Sequence, residues 1–453
     1  MSSPPAVVVI GGGISGLVCA YALQTAGIAV RVFEASARPG GMIRTERSEG
    51  YLCELGPQSF LLTEELLRLS GELGIEAQRL EAQAGLPRYV VIGGALHAVP
   101  MSPPALVTSS LLSFKTKIAI LRDAVGHSRP PDADESVAAF VRRKFTGELL
   151  ERLVGPFVSG IYAGDAETLS WRSAFPQAHE AEAASGSLIR GMIRASKSKR
   201  GGLRKLASYL DGNETLPRAL AERLGEAVQY RTEAQRIDRL GSGAYRVALQ
   251  EASGEQHSIE AGHVVIATPA YAASQLLAAA DSEIANQLCG IEYAPVGVVA
   301  LGYAQEKIGR AARGFGFLVP RGEKLRTLGT VWNSSLFAGR APQGCALYTS
   351  FIGGATDPAG AALSEAEMIA TVQRETAPLL EARGEPRFAQ AHAWHRAIPQ
   401  YNLGHSKRMA AIAERLRSLP GLRIIGNYLA GPSIGTCAEE ATKTARQIAE
   451  AKK

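Results

Sequence analysis

The sequence is poor in cysteine and has no uninterrupted apolar run of transmembrane length. Its five cysteines are scattered through 453 residues and form no CxxC pair, which argues against a disulfide framework and a structural zinc site. The first thirty residues carry no charge, but Gly11-Gly12-Gly13 interrupts their apolar run and no basic residue precedes it. A signal peptide and a membrane-spanning helix are therefore not expected. We expect a cytoplasmic protein, either soluble or peripheral on the inner face of the plasma membrane.

Basic residues slightly outnumber acidic residues, and the excess lies in one stretch of the chain. Lysine and arginine total 49 against 43 acids, which gives a net charge of +6. Seven of the cations lie between Ser185 and Leu206 with no acid among them, so a nucleic-acid partner is not expected. Apolar residues alternate with them at helical spacing, which leaves three interpretations: an anionic membrane surface, a solvated loop, or attraction of an anionic substrate. The cations are Arg190, Arg194, Lys197, Lys199, Arg200, Arg204 and Lys205, and the apolar residues are Leu188, Ile189, Met192 and Ile193.

Glycines are plentiful at the N-terminus, where they form a dinucleotide-binding pattern. A β-branched run at Val7–Ile10 predicts a buried strand, and Leu17–Thr25 predicts a helix that ends near Gly27. Gly11, Gly13 and Gly16 lie between them at GxGxxG spacing. A second predicted strand, Ile28–Phe33, ends at Glu34. The glycines let the backbone approach a pyrophosphate at the helix N-terminus, and Glu34 can bind ribose hydroxyls, which disfavours NADP.

The residues after Glu34 distinguish FAD from NAD. The run Glu34–Thr45 contains Arg38-Pro39-Gly40-Gly41 and resembles the second glycine motif of the FAD-dependent amine oxidase and phytoene desaturase group. Arg38 can neutralise phosphate, and the paired glycines permit another close backbone approach. The loop Leu55–Phe60 resembles the segment that passes near the flavin ring in that group.

Two later stretches are predicted to complete the FAD domain. Leu216–Leu224 predicts a helix, and His263–Pro269 resembles the strand with which the group returns to this domain. Near the end of the chain, Gly421–Asn427 predicts a strand. The spacing of Thr436 and Glu439 suggests a capping box, which predicts a helix over Cys437–Ala451 whose positive end faces the flavin. The predicted fold class is therefore α/β, with a Rossmann-type FAD domain assembled from discontinuous segments.

Several intervening segments make the resemblance more specific. In order along the chain, they are similar to segments of the protoporphyrinogen IX oxidase family, which also includes the coproporphyrinogen III oxidases that form coproporphyrin. The segments are Arg88-Tyr89-Val90, Gly160–Asp165 (GIYAGD), Gly314–Pro320 (GFGFLVP), Leu328-Gly329-Thr330 and Ile398–His405 (IPQYNLGH). The family fold adds an α+β substrate domain and a mostly helical, membrane-associated domain. The implied division is FAD domain 1–87, 206–276 and 411–453, substrate domain 88–100 and 277–410, and helical domain 101–205.

The resemblance implies an enzyme of haem biosynthesis that removes six electrons from protoporphyrinogen IX. Each of three steps passes a hydride equivalent to FAD, and oxygen reoxidises the flavin with release of hydrogen peroxide. The alternatives are a coproporphyrinogen III oxidase, another flavoenzyme of the amine oxidase type, and a non-catalytic FAD-binding scaffold. Candidate partners are the porphyrinogen, molecular oxygen, a membrane surface, ferrochelatase and a second copy of the chain.

The resemblance also implies the site residues. Carried over residue by residue, the substrate-binding positions are Arg88, which would pair with a propionate, and Gly160, Phe315, Phe317, Leu328 and Phe351. The cofactor positions are Gly11, Gly13, Ile14, Ser15, Gly16, Glu34, Ala35, Arg38, Gly40, Gly41, Gly56, Pro57, Gln58, Ser59, Ala234, Trp394, Gly426, Asn427, Ile434, Gly435 and Thr436. No catalytic residue is assigned, since hydride transfer is carried by the cofactor.

A few residues depart from the pattern or remain ambiguous. Gln58 stands where the family often has asparagine, and Thr436 stands where it usually has an acid. We interpret Cys437 as a packing residue, because it has no partner cysteine. The HxxH of His392–His395 lies in a segment that we expect to be extended, without a third ligand nearby, so we predict no metal site. Both a pocket role and a structural role stay open for Tyr401 and His405.

Overall fold

The computed structural model describes residues 6–128, 130–198, 205–309, 313–429 and 431–451. In chain order the strands are β1 Val7–Ile10, β2 Val30–Phe33, β3 Thr45–Ser48, β4 Tyr51–Glu54, β5 Phe60–Leu61, β6 Arg79–Glu81, β7 Arg88–Ile92, β8 Ala95–Ala98, β9 Leu206–Tyr209, β10 Val228–Gln229, β11 Thr232–Arg239, β12 Tyr245–Glu251, β13 Gln256–Ala261, β14 His263–Ile266, β15 Tyr293–Ala304, β16 Gly316–Leu318, β17 Thr327–Val331, β18 Cys345–Gly353, β19 Phe388–Pro399 and β20 Leu422–Ile424.

The helices follow the same numbering. They are α1 Ile14–Thr25, α2 Glu64–Glu72, α3 Pro103–Thr108, α4 Phe114–Val125, α5 Val137–Lys144, α6 Gly147–Leu149, α7 Gly155–Tyr162, α8 Trp171–Ala174, α9 Pro176–Ser185, α10 Leu188–Ser198, α11 Thr215–Leu224, α12 Ala270–Leu277, α13 Ser282–Cys289, α14 Asn333–Leu336, α15 Glu365–Leu380, α16 His405–Leu416 and α17 Ile434–Ala451.

One fully parallel sheet gathers strands from three separated stretches of the chain. Its order is β10-β2-β1-β14-β20. The four residues of β1 are completely or almost completely buried, as expected for a strand with helices on both faces. The strand-turn-helix-strand unit predicted at the N-terminus is confirmed, although α1 begins three residues earlier and β2 two residues later than predicted. Because the strands are parallel, all their carboxyl ends meet at one edge.

The last helix, α17, packs beside α1 beneath this sheet, and its start differs from the prediction. It begins at Ile434, three residues before the predicted Cys437. The backbone N–H of Thr436 donates to the Ser433 hydroxyl at 3.1 Å, so Ser433 takes the position that we assigned to Thr436. The capping box predicted from Thr436 and Glu439 is therefore wrong. Ser433 also precedes a hydrophobic run and fits the N-cap preference equally well.

A second sheet has seven strands and packs against the β3–β4 hairpin. Its order is β19-β15-β18-β17-β16-β7-β8, and its pairs are antiparallel except β16 with β7. Helix α15 covers one face, where Met368 and Val372 pack with Val299. On the opposite face, the β3–β4 hairpin contributes Tyr51, which stacks on Phe388 with ring centroids 4.6 Å apart. That second face is thus turned toward the glycine-rich segment.

The helices α3 to α10 form a separate cluster between β8 and β9. Its apolar core includes Phe140 stacked on Trp171, with centroids 3.8 Å apart, and Tyr401 reaches into it from the chain beyond β19. Nowhere among the described residues does the structure contain a helix long and apolar enough to cross a membrane. The domain boundaries and the membrane association of this cluster remain predictions.

Some cations of the basic segment between Ser185 and Leu206 are bonded within the fold. Arg190 donates to the carbonyl groups of Ala124, Gly126 and Ser185 at 2.8–3.2 Å, and Lys205 pairs with Glu81 at 2.6 Å. Two of the seven cations are therefore used within the fold, while Arg194 is exposed. The predictions for Lys199, Arg200 and Arg204, and for the side chain of Lys197, lie outside the described residues.

Candidate active site

The first glycine turn lies at the carboxyl edge of the parallel sheet and is tightly packed from below. A methyl group on Gly16 would lie 1.9 Å from the Gly11 carbonyl oxygen, and one on Gly11 would lie 2.9 Å from the Ala267 oxygen. A methyl on Gly13 would meet nothing within 4 Å. Gly13 precedes α1, whose first turn contains no acid. The turn is thus open toward a helix N-terminus that favours an anion, as the pyrophosphate of FAD requires.

Glu34 is fixed beside this turn at the end of β2. Its carboxylate accepts the backbone N–H groups of Gly12 at 2.6 Å and Ser36 at 2.8 Å. The Thr232 N–H donates to the Glu34 carbonyl at 3.0 Å, which brings the start of β11, and with it Ala234, alongside Glu34 and Ala35. A carboxylate has more acceptor positions than these two donors fill. Glu34 can therefore also accept ribose hydroxyls.

The two glycine motifs meet face to face. The Gly40 N–H donates to the Gly12 carbonyl at 2.8 Å, and a methyl on Gly41 would lie 3.4 Å from the Cα of Gly13. The Arg38 guanidinium donates to three carbonyl groups of its own turn, at 2.6–3.1 Å, and lies 3.8 Å from Glu214. Burial lowers the pKa of Arg38. In this structure Arg38 shapes the second turn, and a direct phosphate contact would require it to leave some of these partners.

The loop that follows β4 is held from both sheets. A methyl on Gly56 would lie 2.0 Å from the Met42 oxygen, so the loop passes directly against the second glycine motif. The side-chain amide of Gln58 donates to the Glu54 and Gly56 carbonyl groups and accepts from the Asn333 amide at 2.8 Å. Trp394 donates its indole N–H to the Leu55 carbonyl at 2.6 Å, while Pro57 and Ser59 are half-buried in the same loop. Sequence reasoning missed Asn333, which gives no local signal.

At the carboxyl edge the C-terminal segment contributes a sharp turn and a helix N-terminus. Gly426 has a φ of 153°, and Asn427 accepts the hydroxyl hydrogen of Tyr401 through its carbonyl group. A methyl on Gly435 would lie 2.6 Å from the Thr63 side chain, which fixes α17 against the N-terminal region. The first turn of α17, with Ile434, Gly435 and Thr436, thus lies close to the other predicted cofactor residues.

The residues that the sequence left ambiguous are buried in this structure and bonded within the fold. Tyr401 is 2% exposed and its ring stacks on His405 with centroids 4.6 Å apart. The His405 Nε2 lies 3.0 Å from the Tyr428 carbonyl oxygen, so it must carry the proton, and burial lowers the pKa of His405 to about 4. Burial also raises the pKa of Cys437 to about 11, which favours the protonated thiol at neutral pH.

Strand register defines an apolar face in front of the loop. Directly opposite residues of antiparallel strands share a face, which groups Leu318, Gly329, Phe351 and Val298. Leu328 and Trp394 pack in the same cluster as Phe351. Phe317 pairs with Thr330 and lies 2% exposed in the core under α15, on the other face. Phe317 therefore lies on the face opposite Phe351, and its neighbour Leu318 lies on the face of Phe351. A substrate contact of Phe317 stays a prediction.

Helix α7 covers the outer part of this face. A methyl on Gly160 would lie 2.5 Å from a Leu318 methyl group, so the glycine allows α7 to approach β16. Phe157 and Ile161, one turn apart on α7, are 44% and 43% exposed. Such exposed large apolar side chains beside an apolar face are typical of a binding cleft.

Two arginines lie at opposite ends of β16. Arg88 is exposed beside Gly316, where β16 begins, and its guanidinium carbon lies 4.6 Å from the Phe315 ring centroid. No carboxylate of the described residues lies within 4 Å of it. Arg321 follows the end of β16 and pairs with Asp165 at 3.2 Å. Only the first arginine is therefore free to bind an acidic ligand.

The HxxH histidines do not form a pair. His392 is half-buried with its Nε2 lacking a partner among the described residues, and burial lowers its pKa. His395 is exposed within the irregularity that shifts the pairing of β19 with β15. In the part of the chain that the structure describes, no three His, Cys, Asp or Glu side chains are grouped to hold a metal ion.

The way the two glycine turns meet determines the class of protein. One glycine turn is enough to bind a pyrophosphate. The second glycine turn, the loop after β4 and the N-terminus of α17 extend the site toward the apolar face, where a ring system can bind. Fold and site thus define an FAD-binding oxidoreductase. The chain belongs to the family described as flavin-containing amine oxidoreductases, whose model matches residues 14–451.

Individual relatives cover almost the whole chain. The chloroplastic protoporphyrinogen oxidase of Oryza sativa subsp. japonica is 36% identical over 98% of this chain and 88% of its own. The coproporphyrinogen III oxidase of Bacillus subtilis is 29% identical over 96% of each chain. The crystal structure of a provisionally named protoporphyrinogen oxidase from Exiguobacterium sp. 255-15 superposes with a TM-score of 0.83, at 23% identity and 99% coverage of both chains, and shows the fold alone.

Proposed function

We propose that the protein oxidises protoporphyrinogen IX to protoporphyrin IX in haem biosynthesis, with oxygen as the electron acceptor. The observation that carries the proposal is the apolar face between β16–β18 and α7, which ends at Arg88, a cation with no carboxylate of the described residues within 4 Å. A porphyrinogen is a large apolar macrocycle with carboxylates on its edge, and it fits such a surface. The enzymes named above identify which macrocycle to test.

Each of three steps removes two electrons and two protons from the macrocycle, so one porphyrin and three molecules of hydrogen peroxide form from three of oxygen. Bound FAD supplies the two-electron acceptor that oxygen reoxidises. Arg88 binds a propionate, while Leu318, Leu328 and Phe351 exclude water and orient the ring. We assign no general base among the described residues, and water can accept the N–H proton.

The direct test is turnover of purified, flavin-containing protein in air. Fluorescent protoporphyrin should appear together with three equivalents of peroxide. Coproporphyrinogen III is the second candidate substrate, because its oxidases are also relatives. A flavin-loaded protein that oxidises neither porphyrinogen would contradict the proposal and favour an amine substrate or a non-catalytic scaffold.

The arrangement of cations favours the substrate with fewer carboxylates. A macrocycle whose carboxylate edge reaches Arg88 turns its opposite edge toward Arg321, which Asp165 neutralises. Protoporphyrinogen carries two carboxylates on one edge, whereas coproporphyrinogen carries four around the ring. The end near Arg321 therefore suits an uncharged edge.

Replacing Asp165 by asparagine should shift this preference. Freeing Arg321 is expected to raise kcat/KM for coproporphyrinogen relative to protoporphyrinogen by about two- to fivefold, the range for a partly exposed ion pair. The matched control is Glu260→Gln, which frees Arg246 from a similar, partly exposed pair on another sheet. An unchanged ratio for Asp165→Asn would exclude Arg321 from substrate discrimination.

We also propose that the helical cluster touches a membrane surface, through the predicted Met192 and Ile193 together with apolar side chains of α4. On α4, Phe114, Leu121 and Val125 lie on one side and are 62–84% exposed. Met192 and Ile193 of α10, a helix that packs on α4, are exposed as well. The apolar stripe is therefore shared by two helices, and it supports a peripheral rather than spanning contact.

Charging α4 should weaken vesicle binding without affecting turnover. The double variant Leu121→Glu, Val125→Glu is expected to bind anionic phospholipid vesicles at least about tenfold more weakly. The reason is that two apolar side chains, which are exposed in the free protein, would no longer be buried in the membrane on binding. Leu403→Glu, which alters an exposed leucine outside this cluster, should bind like the parent protein. Equal binding of all three proteins would place any membrane contact elsewhere.

A further inference from the structure

A buried group of charged residues lies behind the cofactor loops and takes no part in the chemistry described above. Glu54 and Arg340 are 1% exposed and Glu214 is 3% exposed, although such side chains are rarely buried without compensation. Glu54 ends β4, Glu214 precedes α11, and Arg340 lies between α14 and β18. Three parts of the chain that are distant in sequence thus meet around one carboxylate.

One oxygen of Glu54 is connected to the second glycine motif. Its Oε2 accepts the Thr45 hydroxyl hydrogen at 2.7 Å, and the Thr45 N–H donates to Glu214 at 2.9 Å. Glu214 in turn pairs with Arg218 at 3.3 Å and with Arg38 at 3.8 Å. Glu214 therefore connects Thr45 to Arg38, the residue that shapes the second turn.

The other oxygen is connected to the loop beside the flavin position. Oε1 of Glu54 accepts the Asn213 N–H at 2.8 Å, and the Asn213 side-chain amide donates to the Pro57 carbonyl at 2.7 Å. The amide oxygen of Asn213 accepts from the Ser208 hydroxyl at 2.7 Å, and Ser208 also accepts from Arg340. Asn213 thus holds the loop from behind while Glu54 holds Asn213.

We propose that Glu54 is a positioning residue for FAD, which locks the second glycine turn and the flavin loop together through Thr45 and Asn213. It touches neither the turn's glycines nor the loop carbonyl itself. Without it, each loop would keep its local bonds but lose its fixed distance to the other. Retention of FAD, rather than the rate of hydride transfer, is then the property that depends on Glu54.

The electrostatic environment supports this role. Arg340 approaches Glu54 to 3.9 Å, and Glu214 is the like charge that faces it. Burial raises the pKa of Glu54 to about 7, against the lowering effects of Thr45, Arg340 and Asn213. A carboxyl group that is this costly to bury depends on its donors for its position. Removing a donor should therefore loosen the whole connection.

The test measures how fast FAD leaves the holoenzyme, as the rise in free flavin fluorescence after dilution. Asn213→Ala and Thr45→Val each remove one connection while the backbone remains, and each should release FAD about tenfold faster than the parent protein, the loss of one charge-assisted or buried hydrogen bond. Glu54→Ala should exceed both, and Glu54→Gln, which keeps an acceptor and gains a donor, should restore most of the retention.

The matched control separates positioning from general destabilisation. Glu182 is equally buried and pairs with Arg143 and Lys144 in the helical cluster. Glu182→Ala should lower the melting temperature without accelerating FAD release. If folded Asn213→Ala and Thr45→Val release FAD at the parent rate, Glu54 does not position the cofactor. This outcome is independent of which porphyrinogen is oxidised, because the readout is flavin release.

Discussion

Replacing Gly13 by alanine is expected to give a folded protein that purifies without its yellow flavin. Gly13 has a φ of −73°, which any residue adopts, and a methyl group there would meet nothing within 4 Å. The added atom would instead project into the open space above the turn, where the pyrophosphate must approach the N-terminus of α1. The measurement is the visible flavin absorbance per mole of protein, compared with the parent protein, and we expect it to fall at least about tenfold.

Gly16→Ala provides the contrast within the same motif. Its methyl group would lie 1.9 Å from the Gly11 carbonyl oxygen, so α1 could not seat against the turn. Overpacking of this kind costs about 1–3 kcal/mol or more, and we expect a lower melting temperature as well as loss of flavin. Gly13→Ala should melt like apo parent protein. If it retained stoichiometric FAD, the pyrophosphate would have to bind away from this turn.

The features that sequence could predict are those whose signals are local. The parallel strands at Val7–Ile10 and His263–Ile266 follow from β-branched runs, and the turn between β1 and α1 follows from glycine spacing. Helix N-termini are less certain, because Ser433 and Thr436 both satisfy the capping preference and only the structure distinguishes them. Cofactor type was predictable for the same reason, since two short motifs specify it.

The features that sequence could not predict depend on register and on distant contacts. Phe317 and Leu318 are adjacent and both apolar, and the pairing of Leu318 with Gly329, and of Gly329 with Phe351, fixes which of them faces the cleft. Asn333 contacts Gln58 across 275 positions of sequence. No periodicity or spacing encodes such a pair, so the sequence alone does not reveal the contacts around the flavin loop.

Replacing Arg88 by alanine is expected to raise KM for the porphyrinogen more than it lowers kcat. Arg88 lies at the rim, with its guanidinium over the Phe315 ring, far from being enclosed. A propionate bound there is held in the ground state and the transition state alike, because the reacting carbon lies elsewhere on the macrocycle. Loss of an interaction that binds the ground state and the transition state equally raises KM and leaves kcat unchanged. One charge-assisted hydrogen-bonded pair corresponds to a rise of roughly 10- to 100-fold.

Two variants distinguish charge from shape at this position. Arg88→Lys keeps the charge but loses the bidentate geometry and the flat contact with Phe315, so its KM should lie between those of the parent and Arg88→Ala. Arg246→Ala removes an exposed arginine that pairs with Glu260 on another sheet, and it should leave both constants unchanged. An unchanged KM in Arg88→Ala would show that a cation other than Arg88 binds the carboxylate of the substrate. A matching fall in kcat would instead mean that Arg88 positions the macrocycle for hydride transfer, since the loss would then occur in the transition state.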